Sequence, residues 1–225
     1  MQMTPEPDGA PEVRAGVGRR ERKKLRTRQV ISDLATEMFI ERGFDHVTVA
    51  EVAKAADVAV QTVFNHFPAK EDLFFDSHDW WQGPAQVIRD TPLPEPPSGG
   101  EVVDALEGHY LEGIRGRLRS GQLATWKAFA RTIEESPALL ARRRKNAEEM
   151  EALMVEALLE RDPGVSPLLA QLVAAQYAAA QKVLEAELAR LLPDNPNGVQ
   201  VAHVEEALEQ AVSVVFGALR HGLRL

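Results

Sequence analysis

The stretch TVAEVAKAADVAVQTVFNHFPAKEDLF at residues 48–74 contains the signals for two short helices joined by a tight turn. Thr48 and Glu51 have the spacing of a capping box, in which each side chain accepts a hydrogen bond from the backbone of the other residue. A helix therefore begins here, and its short apolar face ends before Asp57, a residue type that tolerates left-handed backbone. A second short helix is predicted over residues 60–66 and ends before a proline, which cannot continue it.

A longer helix is predicted before this pair. Apolar side chains recur at three- and four-residue spacing over residues 30–39, which is the periodicity of a helix with one buried face. Gly43 is expected to end this helix in the left-handed conformation, with Phe44 packing back on its last turn. Two short helices resting on a longer one form a helix-turn-helix.

The remainder of the chain also has helical periodicity. A fourth helix is predicted from Lys70 to about Gly83-Pro84, and the proline-rich segment 91–100 is a loop. Amphipathic helices follow it to the end of the chain. The pattern predicts an all-α fold.

Composition narrows the classes of protein that remain. The 225 residues are 44% hydrophobic and 27% charged, which is typical of a globular chain. The absence of cysteine excludes disulfides, thiolate metal sites and a cysteine nucleophile. No signal peptide is evident, nor any run of about 18 apolar residues, so we expect a cytoplasmic protein with no membrane partner.

No enzyme motif is present. The sequence lacks an HExxH helix, a glycine-rich phosphate loop and a GxSxG elbow, and its six histidines are scattered. We therefore predict no enzymatic activity, no metal site and no cofactor.

Charge is distributed unevenly along the chain. The net charge of −8 argues against a nucleic-acid partner, yet residues 19–28 read RRERKKLRTR, with seven basic residues and one acidic residue. This asymmetry is typical of a protein that contacts nucleic acid with one end. The alternative is a charged segment that is simply solvated.

The segment after residue 47 resembles the DNA-binding domain of the TetR family of bacterial transcriptional regulators. The matching positions are Thr48, Val52, Ala53, Thr62, Val63, Phe64, His66, Phe67, Lys70 and Leu73. The resemblance implies about nine helices, a homodimer built on the last two, and a pocket for an unknown small-molecule effector among the middle helices. We assign residues 1–18 to a disordered tail, 19–69 to a three-helix helix-turn-helix DNA-binding domain, and 70–225 to a larger helical ligand-binding and dimerisation domain.

The second short helix would then be a recognition helix in the major groove of double-stranded DNA. Gln61 in its leading turn can pair with adenine, and Val60 or the methyl group of Thr62 can pack on a thymine methyl. Thr48 and His66 are expected to contact phosphates. The full predicted DNA-binding set is Arg19, Arg20, Lys23, Lys24, Thr48, Val60, Gln61, Thr62, Phe64, Asn65, His66 and Lys70.

Lys70 is expected to bind a phosphate at the start of the fourth helix, where free amides and the helix dipole favour an anion. The basic segment 19–28 is expected to lie along the DNA backbone as an arm or to enter the minor groove.

The middle helices carry the residues that can form an effector pocket. His109 is a polar tether among aromatic side chains, although aromatics at helical spacing also form ordinary cores. Arg115, Arg117 and Arg119 offer positive charge for an acidic ligand, and the alternative is that they are solvated. The predicted ligand-binding set is Trp81, His109, Tyr110, Trp126, Phe129 and Tyr177.

The last two helices have a near-heptad apolar repeat, which favours a two-fold dimer interface of four helices over an intramolecular core. The predicted interface residues are Leu172, Ala179, Val183, Val204, Leu208, Val215 and Leu219. The resemblance to the TetR family implies a ligand-released repressor that binds a palindromic operator as a dimer. The alternative is a DNA-binding protein without a sensor function, whose C-terminal domain binds a protein partner.

Overall fold

The computed structural model describes residues 18–76, 81–93, 100–120, 123–192 and 198–221. These residues form ten α-helices and one 3₁₀ turn, and no strand occurs among them. The elements are α1 (Arg19–Arg42), the 3₁₀ turn (Phe44–His46), α2 (Val49–Ala55), α3 (Val60–His66), α4 (Lys70–Phe75), α5 (Gly83–Asp90), α6 (Glu101–Arg119), α7 (Leu123–Glu135), α8 (Pro137–Arg161), α9 (Pro167–Leu191) and α10 (Gly198–His221). The predicted all-α fold is confirmed. Nearly all of the expected N-terminal tail, residues 1–17, lies outside the described part of the chain.

Helices α1, α2 and α3 form the predicted helix-turn-helix. The capping box at the start of α2 is present, with Glu51 N donating to the Thr48 hydroxyl and Thr48 N donating to the Glu51 carboxylate. Asp57, between α2 and α3, has the left-handed φ of 52° that the sequence predicted.

Gly43 ends α1, but not in the conformation expected. Its φ of 84° is positive, while its ψ of 141° is extended and not left-handed helical. Because a side chain disfavours this region, glycine is required here. Phe44 packs back as expected, with its ring centroid 4.9 Å from that of Phe39.

The expected single helix from Lys70 to Gly83-Pro84 was wrong. Helix α4 ends at Phe75, and Gly83 begins a separate helix, α5. Pro84 occupies the first turn of α5, where its missing N–H has no intrahelical partner to lose. Pro84 is therefore a start signal and not the expected stop signal. The additional helix raises the count from about nine to ten within the described residues.

An aromatic cluster joins the N-terminal domain to the helices that follow. The ring of Phe74 on α4 lies 6.1 Å from Phe39 and 6.3 Å from Phe44. On its other side Phe74 stacks on Phe129 of α7, with centroids 4.1 Å apart and planes 7° apart. Helix α4 therefore packs against both parts of the molecule.

The C-terminal domain is a layered bundle. Helix α5 packs between α6 and α8, α9 packs on α8 and α10, and α10 packs on α6. Among the helices described here, none has both the length and the apolar character needed to cross a membrane.

Candidate nucleic-acid interface and sensor site

Helix α3 turns one face into the core and the opposite face outward. Val63 is fully buried, whereas Gln61 and Asn65 are exposed and Val60 and Phe64 keep 40% and 45% of their surface. The Gln61 amide donates to Asn65 Oδ1 at 3.2 Å, one turn along the same face. The predicted base-reading positions thus lie together on the outside, and Thr62 is half-buried at their edge.

The Thr48 side chain is largely occupied by the cap of α2. Its hydroxyl accepts from Glu51 N at 3.2 Å and donates to the Glu51 carboxylate at 2.8 Å. Hydrogen bonds from Arg42 and from Thr48 lower the pKa of Glu51 to about 2. Thr48 therefore holds the start of α2 in place, and its contact with a phosphate stays a prediction.

The basic segment 19–28 is helical. Arg20, Lys23 and Lys24 are exposed on the first turns of α1, while the side chain of Arg19 lies outside the described part. Helical hydrogen bonding starts at Gly18 O, which accepts from Arg22 N, so the predicted contact of this basic arm with DNA would be made from a helix. Residues three and four apart share a helix face, so these cations form a ridge.

Arg28 was not among the predicted site residues, and it joins three elements. Its Nε donates to Asp76 Oδ1 at 2.7 Å, and its guanidinium also donates to the carbonyl oxygen of His66. The same group lies 4.4 Å from the centroid of the Phe67 ring. In the sequence Arg28 is one of seven basic residues within residues 19–28, and only its contacts distinguish it.

Lys70 is not the free surface cation that we expected. Its ammonium donates to the carbonyl oxygen of Phe44 at 2.6 Å and lies 4.1 Å from the centroid of that ring. Burial lowers the pKa of Lys70, although nearby carboxylates oppose this effect. Ala69 N, the backbone amide directly before α4, donates to the Asp72 carboxylate at 2.9 Å. A phosphate contact of Lys70 stays a prediction, and it would compete with this inward arrangement.

His66 at the end of α3 is half-buried, and its Nδ1 has no hydrogen-bond partner. Burial, followed by the charges of Arg28 and Lys24, lowers the pKa of His66. The lowered pKa favours the neutral imidazole, so a contact with a phosphate is expected to be a hydrogen bond without a full charge.

The residues predicted for an effector pocket are dispersed through the C-terminal domain. Trp81 and Phe129 are core residues, and Phe129 makes the stack that contacts α4. The His109 ring packs on Gly83, so closely that a Cβ at that residue would be 2.7 Å from Nε2. The Tyr177 hydroxyl is buried and accepts from the Gln181 amide at 3.2 Å.

Trp126 is the predicted pocket residue that borders a cavity. The cavity is small, with about 10 Å³ accessible to a water-sized molecule, and is otherwise lined by Ile114, Arg117, Leu118, Leu123, Leu188 and Leu192. The guanidinium of Arg117 lies 4.1 Å from the Trp126 ring centroid. Tyr110 is nearby, since its hydroxyl and Arg117 influence each other electrostatically.

The residues predicted for a dimer interface fall into two groups. Leu172 and Val183 on α9 keep 51% and 58% of their surface, and Ala179 between them is exposed. Val204 and Leu208 on α10 are buried within the single chain, at 5% and 0% exposure, so this part of the prediction is corrected.

Val215 and Leu219 are half-buried and pack against the core from α10. Leu168 and Val214 were not among the predicted interface residues, although they are the most exposed large apolar side chains that the structure describes on these two helices, at 77% and 72%. A heptad repeat indicates which residues share a face, but it does not show whether that face meets the same chain or another one.

Comparison with known proteins supports the resemblance. Residues 31–76 match the model of the bacterial regulatory proteins of the tetR family. The chain is 32% identical over 155 residues to the HTH-type transcriptional regulator TcmR of Streptomyces glaucescens, covering 65% of each chain. It is 43% identical over 49 residues to the HTH-type transcriptional regulator LuxR of Vibrio harveyi, covering 22% of this chain and 24% of that protein. The chain thus matches just under two thirds of the length of the first relative.

The fold is also found among solved structures. NalD of Pseudomonas aeruginosa, described as the secondary repressor of the MexAB-OprM multidrug efflux pump, superposes with a TM-score of 0.51 at 19% identity. The superposition covers 84% of this chain and 97% of NalD. Together with the helix-turn-helix geometry, the family match shows that residues 31–76 form a helix-turn-helix of the tetR family of bacterial regulatory proteins.

Proposed function

We propose that this protein is a transcriptional repressor that binds a palindromic DNA operator as a homodimer and leaves it when a small-molecule effector binds the C-terminal domain. The observation that carries the proposal is the outward face of α3. Two large apolar side chains, Val60 and Phe64, remain exposed there beside Gln61 and Asn65. Side chains of this kind match the methyl groups and hydrogen-bonding edges that a major groove presents.

The charge near α3 supports DNA as the partner. Lys24 on the ridge of α1 lies close enough to His66 to lower its pKa, so the ridge begins near the end of α3. Contacts between such cations and phosphates position a recognition helix without reading sequence.

The exposed apolar stripe on α9 supports a dimer. Leu172, Ala179 and Val183 follow one another at helical spacing and share a face with Ala175. In a two-fold dimer this stripe would meet its own copy, and two recognition helices would be presented to half-sites about one helical turn apart.

A continuous set of contacts supports control by the C-terminal domain. Arg142 of α8 pairs with Asp72 of α4 at 3.0 Å, and Phe129 of α7 stacks on Phe74. Asp76, just after α4, is the residue that Arg28 joins to α3. A displacement of α7 or α8 by an effector would therefore reach α3 through α4.

The test is an operator selection with the purified full chain on a library of random-sequence DNA duplexes. We expect enrichment of one palindromic sequence, occupied by two chains. Its affinity should fall steeply between about 50 and 200 mM salt, because phosphate contacts release counterions. Failure to enrich any sequence, or binding that does not respond to salt, would contradict the proposal.

The second candidate function is a DNA-binding protein whose C-terminal domain binds another protein and no effector. The observation that favours it is Val214, an exposed apolar residue on α10. Sedimentation of the purified chain separates the two functions. A stable dimer supports the first, and a monomer that still selects an operator supports the second.

The match of residues 31–76 to a family of bacterial regulatory proteins, and the similarity to TcmR, support a transcriptional regulator over an enzyme as the function of this chain.

A further inference from the structure

We propose that the C-terminal domain binds an amphipathic organic anion, with the acidic group of the ligand paired to Arg117 and its apolar body in the cavity beside Trp126. The inference rests on the proposed release by an effector and names the chemical class of that effector.

Arg117 differs from Arg115 on its own helix and from Arg220 on α10. Arg115 pairs with Glu209, and Arg220 pairs with Asp104 and Glu107. The guanidinium of Arg117 makes no hydrogen bond or ion pair with any residue that the structure describes, and its contact is the stack on Trp126. Arg117 is half-buried, and burial lowers its pKa while the charge of Glu185 opposes this effect. An acidic group on a ligand would supply the direct ion pair that the guanidinium lacks.

The cavity beside this guanidinium is otherwise apolar. Much of its wall is formed by Leu118, Leu123, Leu188 and Leu192, together with Ile114. A site with a hydrophobic wall and few polar groups selects a ligand with an apolar body and a single charged end. The space in the cavity that a water-sized molecule can reach is about 10 Å³. This is roughly the room of one water molecule and far below the roughly 300–1,000 Å³ of typical ligand sites, so an organic ligand would separate the helices as it enters.

A second, independent observation comes from buried polar atoms that lack partners. Asn146 on α8 is fully buried, and neither its Oδ1 nor its Nδ2 is hydrogen-bonded. Gln181 Oε1 on α9 is also buried without a donor. Because native proteins satisfy nearly all such groups, their presence in one region indicates a missing partner.

The helix register places these atoms near Arg117. Helices α8 and α9 are antiparallel neighbours joined by a short connection, and Arg143 of α8 acts electrostatically on Glu185 of α9. One turn further along, this register brings Asn146 opposite Gln181. Glu185 also acts on Arg117, so the unpaired cation and the unpartnered amides belong to one polar region. The ligand is therefore expected to carry a further hydrogen-bonding group.

The test uses two fluorescent probes with the same aromatic body. The first, 1-anilinonaphthalene-8-sulfonate, is an amphipathic anion, and the second, N-phenyl-1-naphthylamine, lacks the sulfonate. We expect the anionic probe to bind the full chain at one site per chain. Arg117→Gln should weaken its binding by about tenfold or more, since a hydrogen bond to a charged group is lost. Binding of the neutral probe should change by less than about threefold.

Arg119→Gln is the matched control, because Arg119 is an exposed arginine two residues further along the same helix. It should leave both affinities unchanged, and circular dichroism should show the same helix content in each variant. Equal affinity of Arg117→Gln and the unmodified chain for the anionic probe would overturn the proposal, as would an equal loss for both probes. If Arg117→Gln does not fold, Arg117→Lys replaces it. Lysine lacks the planar fork of donors, so a loss of about threefold or more confined to the anionic probe is expected, and no loss would overturn the proposal.

The outcome is separable from that of the proposed function. Operator binding is measured on the same preparations without any probe. Arg117-dependent binding of the anionic probe that leaves the operator complex intact would support this site and contradict the release mechanism. Operator binding with no Arg117-dependent probe binding would contradict the site alone.

Discussion

Replacing Arg28 by Gln removes the side chain that joins α1 to α3 and α4. The substitution deletes the bond to Asp76, the bond to the carbonyl oxygen of His66 and the contact with the Phe67 ring. Asp76 keeps only 9% of its side-chain surface, whereas Arg28 keeps 39%. The pair is therefore neither a free surface pair nor a fully buried one.

The expected cost follows from these exposures. Breaking a buried pair costs about 3–5 kcal/mol and an exposed pair contributes about 0–1 kcal/mol, so we expect about 2 kcal/mol here. Loss of the contact with Phe67 adds about 0.5–1 kcal/mol. The free energy of unfolding should therefore fall by roughly 2–3 kcal/mol in a urea titration followed by circular dichroism.

A double-mutant cycle with Asp76→Asn tests the cause. We expect a coupling energy of more than about 1 kcal/mol, because each single variant removes the same ion pair. Arg26→Gln is the matched control, since Arg26 is exposed on the same helix and should change stability by less than about 0.5 kcal/mol. If Arg28→Gln unfolds at the same urea concentration as Arg26→Gln, Arg28 does not stabilise the contacts of α1 with α3 and α4.

Three further results are expected. Gln61→Ala should change the selected operator sequence, while Lys24→Ala should lower affinity for every sequence alike; identical selected sequences before and after the Gln61 change would contradict base reading. Val183→Arg should give a folded monomer that no longer binds the operator, as sedimentation would show, whereas Leu208→Arg should instead unfold the chain by burying a charge. The pKa of His66 is lower in the folded chain than its usual value of 6.5. As the pH falls, His66 therefore takes up a proton in the unfolded chain before it does so in the folded chain, and the free energy of unfolding should decrease as the pH drops below 6.5. His66→Gln should reduce this loss of stability. If the unfolding midpoint of the variant depends on pH as that of the unmodified chain does, His66 is not the cause of the loss.

The signals that were correct in the sequence are local ones. Thr48 and Glu51 form their capping box within four residues, and Asp57 takes its left-handed φ because its short side chain tolerates it. The outward position of Gln61 also follows from local spacing, since Val63 and Phe67 supply the buried face. Proline signals were less decisive, because Pro84 fits the first turn of a helix as well as the end of one.

The sequence alone determined the helical class, the helix-turn-helix and the family resemblance of residues 31–76, because capping, periodicity and turn chemistry depend on neighbours along the chain. Only the tertiary structure decided which cations are used inside the molecule: Arg28 pairs with a carboxylate 48 residues away, and Lys70 turns toward Phe44. It also decided that Leu208 faces the core while Val183 faces outward. Such choices depend on which elements approach one another, and the spacing of residues along a single helix carries no information about that.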